Sequence, residues 1–300
     1  MAKKSDWIIG GLILFSIFFL ILIFGIGLWG GAGGEGKIRV GGSRVGVVEL
    51  KGIILESQRT VRQLKRMQES DAIKAVVLRI DSPGGGVAAS QEIYDAVRKL
   101  RESGKPVVVS MGSVAASGGY YVACGADTIL ANPGTTTGSI GVIMEIPNVR
   151  GLLSKLGIKY NVIKSGKFKD TGSPFREMRP EERKYLQQFI DDAFQQFVSV
   201  VAENRHLPKE KVLAIADGRV FTGKQALKLG LIDALGNYQD AVELAWKMAG
   251  LKGKPRIYRV PKRKLTIFDL IFGDLNEVLQ KVEATPSLKY QLKLDLPASQ

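Results

Sequence analysis

The chain has 300 residues, with 43 Lys+Arg against 29 Asp+Glu, a formal net charge of +14, one histidine and one cysteine. So few histidines and cysteines exclude a zinc site of the His/Cys type and an internal disulfide, and they leave any Ser-His-Asp triad dependent on His206 alone. The charge is spread along the chain, with no zinc finger, RNA-binding signature or basic stripe interleaved with aromatics, which argues for a membrane surface or plain solubility and against nucleic acid.

Residues 1–6 contain Lys3 and Lys4. The run from Trp7 to Trp29 then carries no charge. As a helix it spans roughly 35 Å, enough for the ~30 Å hydrocarbon core of a bilayer, and a tryptophan marks each interface. It is too long for the apolar region of a cleaved signal peptide. The expectation is a single-pass anchor in the cell membrane, touching lipid through 7–29, with the N-terminus cytoplasmic and all that follows outside. Residues 30–43 are glycine-rich and read as a tether.

Alternating strands and helices follow. Val45–Leu50 and Ala75–Ile80 read as buried strands, with a helix over Gln58–Ser70 between them. Ile93, Ala96, Val97 and Leu100 mark the inward face of another helix. Pro106–Ser110 and Thr128–Ala131 read as further strands, Asn148–Leu156 as a helix and Lys159–Ile163 as a strand. Pro180 opens a long amphipathic helix, followed by shorter ones at Lys209–Ala216, Gly223–Leu229 and Tyr238–Ala249. Ile257–Val260 reads as an edge strand, Leu265–Lys281 as an amphipathic segment and the tail after Pro286 as extended. This order implies an α/β domain with a parallel sheet, with boundaries at 44–250 and a C-terminal extension over 251–300.

Two glycine turns each follow a buried strand, Pro83-Gly84-Gly85-Gly86 and Ser117-Gly118-Gly119. In a parallel sheet both lie at the carboxyl edge, where ligands bind. Ser117 sits where a strand hands over to a helix, facing free N–H groups. It is either a helix cap or a nucleophile whose substrate oxyanion those amides would hold. A phosphate loop is the rival reading, and the missing Gly-Lys-Ser/Thr counts against it. His206 lies in a polar helix-end context and reads as solvated, and Cys124 reads as a small core residue. The base for Ser117 must then be Lys, Asp or Glu. Lys164, Lys167 and Lys169 crowd one loop, where each is either a solvated charge or a desolvated base.

In order along the chain stand Asp81-Ser82-Pro83-Gly84-Gly85, Ala115-Ala116-Ser117-Gly118-Gly119-Tyr120-Tyr121, Thr137-Gly138-Ser139-Ile140-Gly141-Val142 and Lys164-Ser165-Gly166-Lys167-Phe168-Lys169-Asp170, with Asp217-Gly218-Arg219-Val220 beyond. From about Val45 to Gly250 this resembles the signal peptide peptidase A family, the serine–lysine proteases of the protease IV type, in a half-length form. The resemblance implies a crotonase-like (Clp-protease-like) α/β fold. It implies Ser117 as nucleophile, Lys169 as general base, Ser139 as the group orienting the lysine, and Gly84 with Gly118 as oxyanion donors. It further implies no cofactor and no metal, remnant signal peptides and other short or unfolded apolar peptides as substrates, and a cyclic homo-oligomer. The alternatives are a serine–lysine membrane protease cutting stomatin-type partners, a crotonase-type acyl-CoA enzyme, and an idle scaffold on the same fold.

Overall fold

The computed structural model describes residues 42–260, together with Phe15 and Lys289–Gln291. The 7–29 run, apart from the helical Phe15, lies outside the described residues, as does Leu265–Lys281. No helix among the described residues is long and apolar enough to cross a membrane.

Three long strands form the centre: β1 (Arg44–Lys51), β2 (Ile73–Ser82) and β4 (Val107–Ala116). β2 lies between β1 and β4, and both pairings are parallel. Their apolar runs are continuous rather than alternating because helices cover both faces. On one face α8 (Tyr238–Met248) packs Ala241, Val242, Ala245 and Trp246 against Val45, Val47, Ala75, Val77 and Val108. On the other, Leu64 and Met67 of α1 (Gln58–Glu69) and Ile93, Val97 and Leu100 of α2 (Val87–Glu102) are buried. A Cβ at Gly46 of β1 would stand 2.6 Å from Met67 Sδ, so glycine there lets α1 lie close on the sheet. Each fully buried aliphatic side chain contributes about 1.5–3 kcal/mol, which makes these three strands the stable platform of the molecule.

β4 is the strand that matters for the site. Its first half pairs with β5 (Thr128–Ala131) and its last residues with β6 (Thr136–Gly138), both parallel. β7 (Val220–Thr222) runs antiparallel to β6, and β8 (Ala234–Leu235) parallel to β5. The short β3 (Gly84–Gly86) leaves the main sheet and bridges to Ile54 through Gly85. Along β3 lies β10 (Lys289–Gln291), antiparallel, with Tyr290 opposite Gly85. β9 (Ile257–Arg259) pairs parallel with β1, so the sheet takes up part of the stretch that the sequence assigns to a C-terminal extension.

After β6 come α4 (Arg150–Lys155), α5 (Pro180–Arg205), α6 (Lys209–Leu213) and α7 (Gly223–Lys228). α5 starts at Pro180 as expected, with Glu181 and Glu182 in its first turn. One expected element is absent: Lys159–Ile163 forms no strand. The segment is exposed throughout and no neighbouring strand offers its backbone a ladder, so its β-forming residues find nothing to pair with.

Candidate active site

β4 continues past Ser110 to Ala116, and the chain then turns within a single residue into α3 (Gly118–Ala123). Ser117 makes the turn at φ 53°, ψ −119°, a conformation that L-residues avoid and that costs of order 1–3 kcal/mol. The surroundings hold it there. The Ser117 N–H donates to Gly138 O at 2.7 Å, and Tyr121 N–H donates to Ser117 O at 2.8 Å. Behind the turn, the fully buried Tyr120 donates its hydroxyl to Leu231 O at 2.8 Å. The Tyr121 ring is gripped edge-on between Tyr94 and Phe197, with centroids 5.2 and 5.1 Å away. The Ser117 side chain makes no capping hydrogen bond, so holding the helix end is not its role. The Gly118 N–H also has no partner among the described residues. A serine on a strained strand-to-helix turn, with an unpaired amide directly after it, is the arrangement of a nucleophile elbow.

The second glycine turn faces it. Ser82, fully buried at the end of β2, lies in register with Ala115 of β4. Its hydroxyl donates to Gly52 O at 2.6 Å and accepts from Gly84 N–H at 3.1 Å. Gly84 takes φ +100°, which favours glycine. Ile54 N–H donates to Gly84 O and Gly86 N–H to Ile54 O, so one edge of β3 is satisfied by Ile54. Strand alternation then turns the Gly85 amide toward the opposite edge, where Tyr290 lies across from it. Thus Gly84 brings an amide already engaged by Ser82, and Gly85 the amide that faces outward. A Cβ at Gly85 would stand 2.1 Å from Ile54 O, and one at Gly119 would stand 2.9 Å from Ser82 O. Gly119 thus lets the two turns approach one another, and Gly85 lets β3 lie against Ile54.

Ser139 lies beside Ser117. It follows β6, whose Gly138 is in register with Ala116, so the two serines leave the ends of adjacent strands. Ser139 also has positive φ, 51°, and is buried. Its N–H donates to Arg219 O at 2.9 Å, and Gly218 N–H donates to Ile140 O at 3.1 Å, which staples the turn to the Asp217–Val220 motif.

The structure thus gathers Gly84, Ser117, Gly118 and Ser139 at one sheet edge. Lys169 is carried separately, on the polar arm that leads into α5. Its side chain is exposed and makes no hydrogen bond to Ser117 or Ser139. Its lysine neighbours are occupied: Lys167 Nζ is 3.1 Å from Glu181 Oε1, and Lys164 is paired with Asp170. Lys169 makes no ion pair among the described residues. Hydrogen bonds from Arg176 hold the Asp170 and Glu182 carboxyls well below their ordinary range, with Lys164 adding to the effect at Asp170 and Arg179 at Glu182. His206 ends α5 in a left-handed conformation and is exposed, away from any catalytic constellation. Cys124 is buried in the core, where loss of hydration pushes its thiol up to about 12.

Two features escape the sequence reading. Ser82 braces the Gly84 turn, and only its place inside the Asp81–Gly85 motif could have flagged it. Glu182, with its arginines, governs the lysine arm, and the one available signal was an acidic pair after Pro180.

The glycine turns at the carboxyl edge of a mostly parallel sheet define a Clp-protease-like α/β protein, and the family model described as Clp protease matches residues 53–136. The model for peptidase family S49 matches residues 99–252, and the chain belongs to that family of peptidases. It is 45% identical over 252 residues to a Synechocystis sp. protein provisionally named a protease, covering 82% of this chain and 90% of that one. It is 36% identical over 254 residues to the chloroplastic serine protease SPPA of Arabidopsis thaliana, and 36% identical over 220 residues to Protease 4 of Salmonella typhi. Those alignments cover 83% and 70% of this chain but only 37% and 35% of the two relatives, so the chain spans little more than a third of their length.

Proposed function

We propose that this peptidase is a membrane-anchored serine endopeptidase working through a Ser117–Lys169 dyad. Neutral Lys169 takes the Ser117 proton as the oxygen attacks a peptide carbonyl. The protonated amine then passes that proton to the leaving nitrogen, and water, deprotonated by the same lysine, releases the acyl group. Ser139 orients the amine. The Gly118 amide and one from the Gly84–Gly85 turn hold the oxyanion. Loss of one such donor typically costs ~2.7–4 kcal/mol of transition-state stabilisation. The chemistry of these residues calls for neither cofactor nor metal.

The observation that carries this reading is the strained Ser117 facing a glycine strand that accepts extended backbone. β3 pairs antiparallel with Lys289–Gln291 of the chain itself, so its edge suits a substrate bound as an added strand. Main-chain pairing of this kind selects unfolded or short peptides over folded proteins, in keeping with remnant signal peptides as substrates. Residues 7–29 would hold the enzyme in the cell membrane with the catalytic part outside the cytoplasm. Identical anchors at one end suit a cyclic homo-oligomer whose axis is normal to the membrane.

Incubation of the purified protein with unfolded casein and with an acyl-CoA thioester, wild type beside Ser117→Ala, tests the reading. Casein cleavage that disappears in the variant is expected. Thioester turnover without peptide cleavage would move the chain to the acyl-CoA class.

A further inference from the structure

The arm bearing Lys169 is organised by one buried carboxylate. Glu182 lies in the first turn of α5 and is completely buried. Arg176 grips both of its oxygens, Nη1 at 2.7 Å and Nη2 at 2.5 Å. Arg179 adds its Nη2 at 2.6 Å and its backbone N–H at 3.0 Å. The same guanidinium groups reach back to the lysine turn. Arg179 Nη2 donates to Lys167 O at 2.6 Å, and Arg176 Nη2 donates to Asp170 O at 2.9 Å. Arg176 Nε also donates to Asp170 Oδ2 at 2.9 Å.

The carbonyls of Lys167 and Asp170 bracket Phe168-Lys169. Each is held by an arginine seated on the same carboxylate. The turn is closed from within by Lys169 N–H donating to Gly166 O and Thr171 N–H to Phe168 O, both at 3.1 Å. The backbone around Lys169 is therefore fixed from both sides, while its side chain is left exposed and without an ion-pair partner among the described residues. Of the remaining carboxylates of the arm, Glu181 takes Lys167, Asp170 takes Lys164 and Glu177 takes Arg150. A planar fork bound at both ends defines direction as well as distance, which a single ammonium does not.

We propose that Glu182, acting through Arg176 and Arg179, is the positioning residue for the catalytic amine: it fixes the turn so that Lys169 is delivered in one place, while Asp170 and Glu181 keep Lys164 and Lys167 occupied. The proposal rests on Lys169 being the base. Positioning of this kind acts on kcat. A base held by a loose turn spends less time in reach of the serine hydroxyl, while the substrate strand at β3 is untouched.

The test compares the detergent-solubilised full chain as wild type, Glu182→Gln, Arg179→Lys and Lys169→Met on one peptide substrate. Arg179 is partly exposed, and its replacement leaves Glu182 paired with Arg176, so that variant keeps its fold even if Glu182→Gln loses it. In folded Glu182→Gln, kcat is expected to fall 10- to 100-fold with KM within threefold. In Arg179→Lys, kcat is expected to fall about tenfold with an unchanged unfolding midpoint, since one ammonium cannot hold both Glu182 and the Lys167 carbonyl. Wild-type kcat in folded Glu182→Gln and Arg179→Lys overturns the proposal, and so does a loss carried by KM alone. Activity persisting in Lys169→Met overturns instead the assignment of the base on which it rests, and the two failures are thereby told apart.

Discussion

At the scale of single residues, the question is which of three crowded lysines can lose a proton. An ordinary lysine is neutral only about once in 2,500 molecules at pH 7, and a carboxylate partner makes the neutral form rarer still. Lys164 and Lys167 each have such a partner, and Lys169 has none among the described residues. The amine left unpaired there is the one that the proposed dyad uses. Ser117→Ala and Lys169→Met are each expected to lower peptide cleavage by at least about 10³-fold, while Lys167→Met and His206→Ala keep most of it. Cleavage assays on the four variants check this, and full activity in Lys169→Met with loss in Lys167→Met would transfer the role.

At the scale of elements, β4, α3 and the two glycine turns form a rigid frame, while the lysine arm depends on ion pairs and therefore on pH. The ordinary pKa values are 3.8 for Asp170 and 4.5 for Glu182, and both are depressed in the folded protein. A depressed carboxylate stabilises above its unfolded value and loses that contribution as pH falls through the folded one. The arm should hold its structure unchanged from pH 8 down to about pH 5 and come loose only below about pH 4. Proteolytic sensitivity of residues 164–179 measured against pH checks the sign, and release of the arm between pH 8 and 6 would contradict it. What was legible in the sequence divides along the same line. β2, α2 and α5 announce themselves by apolar runs or helical spacing. The start of β4 was visible in its valines, but Met111-Gly112-Ser113 carries no strand signal. That stretch is nonetheless held in the strand by Asp81, whose carboxylate accepts from Val114 N–H at 3.1 Å. Lys159–Ile163 has strand-like composition and no partner, a tertiary fact that local pattern does not contain. The Glu182 clamp was invisible for a related reason. Paired charges on a loop and a helix start look like ordinary solvated charges until the fold buries one of them. Ser117 and the glycine turns stood out because backbone chemistry at a tight turn restricts the residue type on the spot, whereas Ser139 entered only through the family resemblance.

At the scale of the whole molecule, the most informative fact is a mismatch of exposure. Ser117 is 1% exposed, whereas the arm that carries Lys169 stands out in solvent together with Leu152, Leu156, Ile158, Tyr160 and Ile163. Ile163 is 102% exposed. An apolar surface of this kind calls for a covering surface, and a buried serine calls for its base to be brought up to it. A second copy of the chain, seated on the arm in a closed ring with heterologous contacts, would meet both needs. Residues 42–300 should accordingly sediment well above a monomer. The order of motifs suggests a dyad within one chain, but the lack of any Ser117–Lys169 hydrogen bond in the single chain favours one shared between neighbours. Co-assembly of Ser117→Ala with Lys169→Met subunits decides between them. If each site takes its serine from one subunit and its lysine from the next, half the sites find an intact serine and half of those an intact lysine. A random 1:1 mixture then recovers about one quarter of wild-type activity in such a ring. Subunits that each hold a complete dyad give none. A fully active monomer would remove assembly from the mechanism and would require the arm to fold back onto its own Ser117.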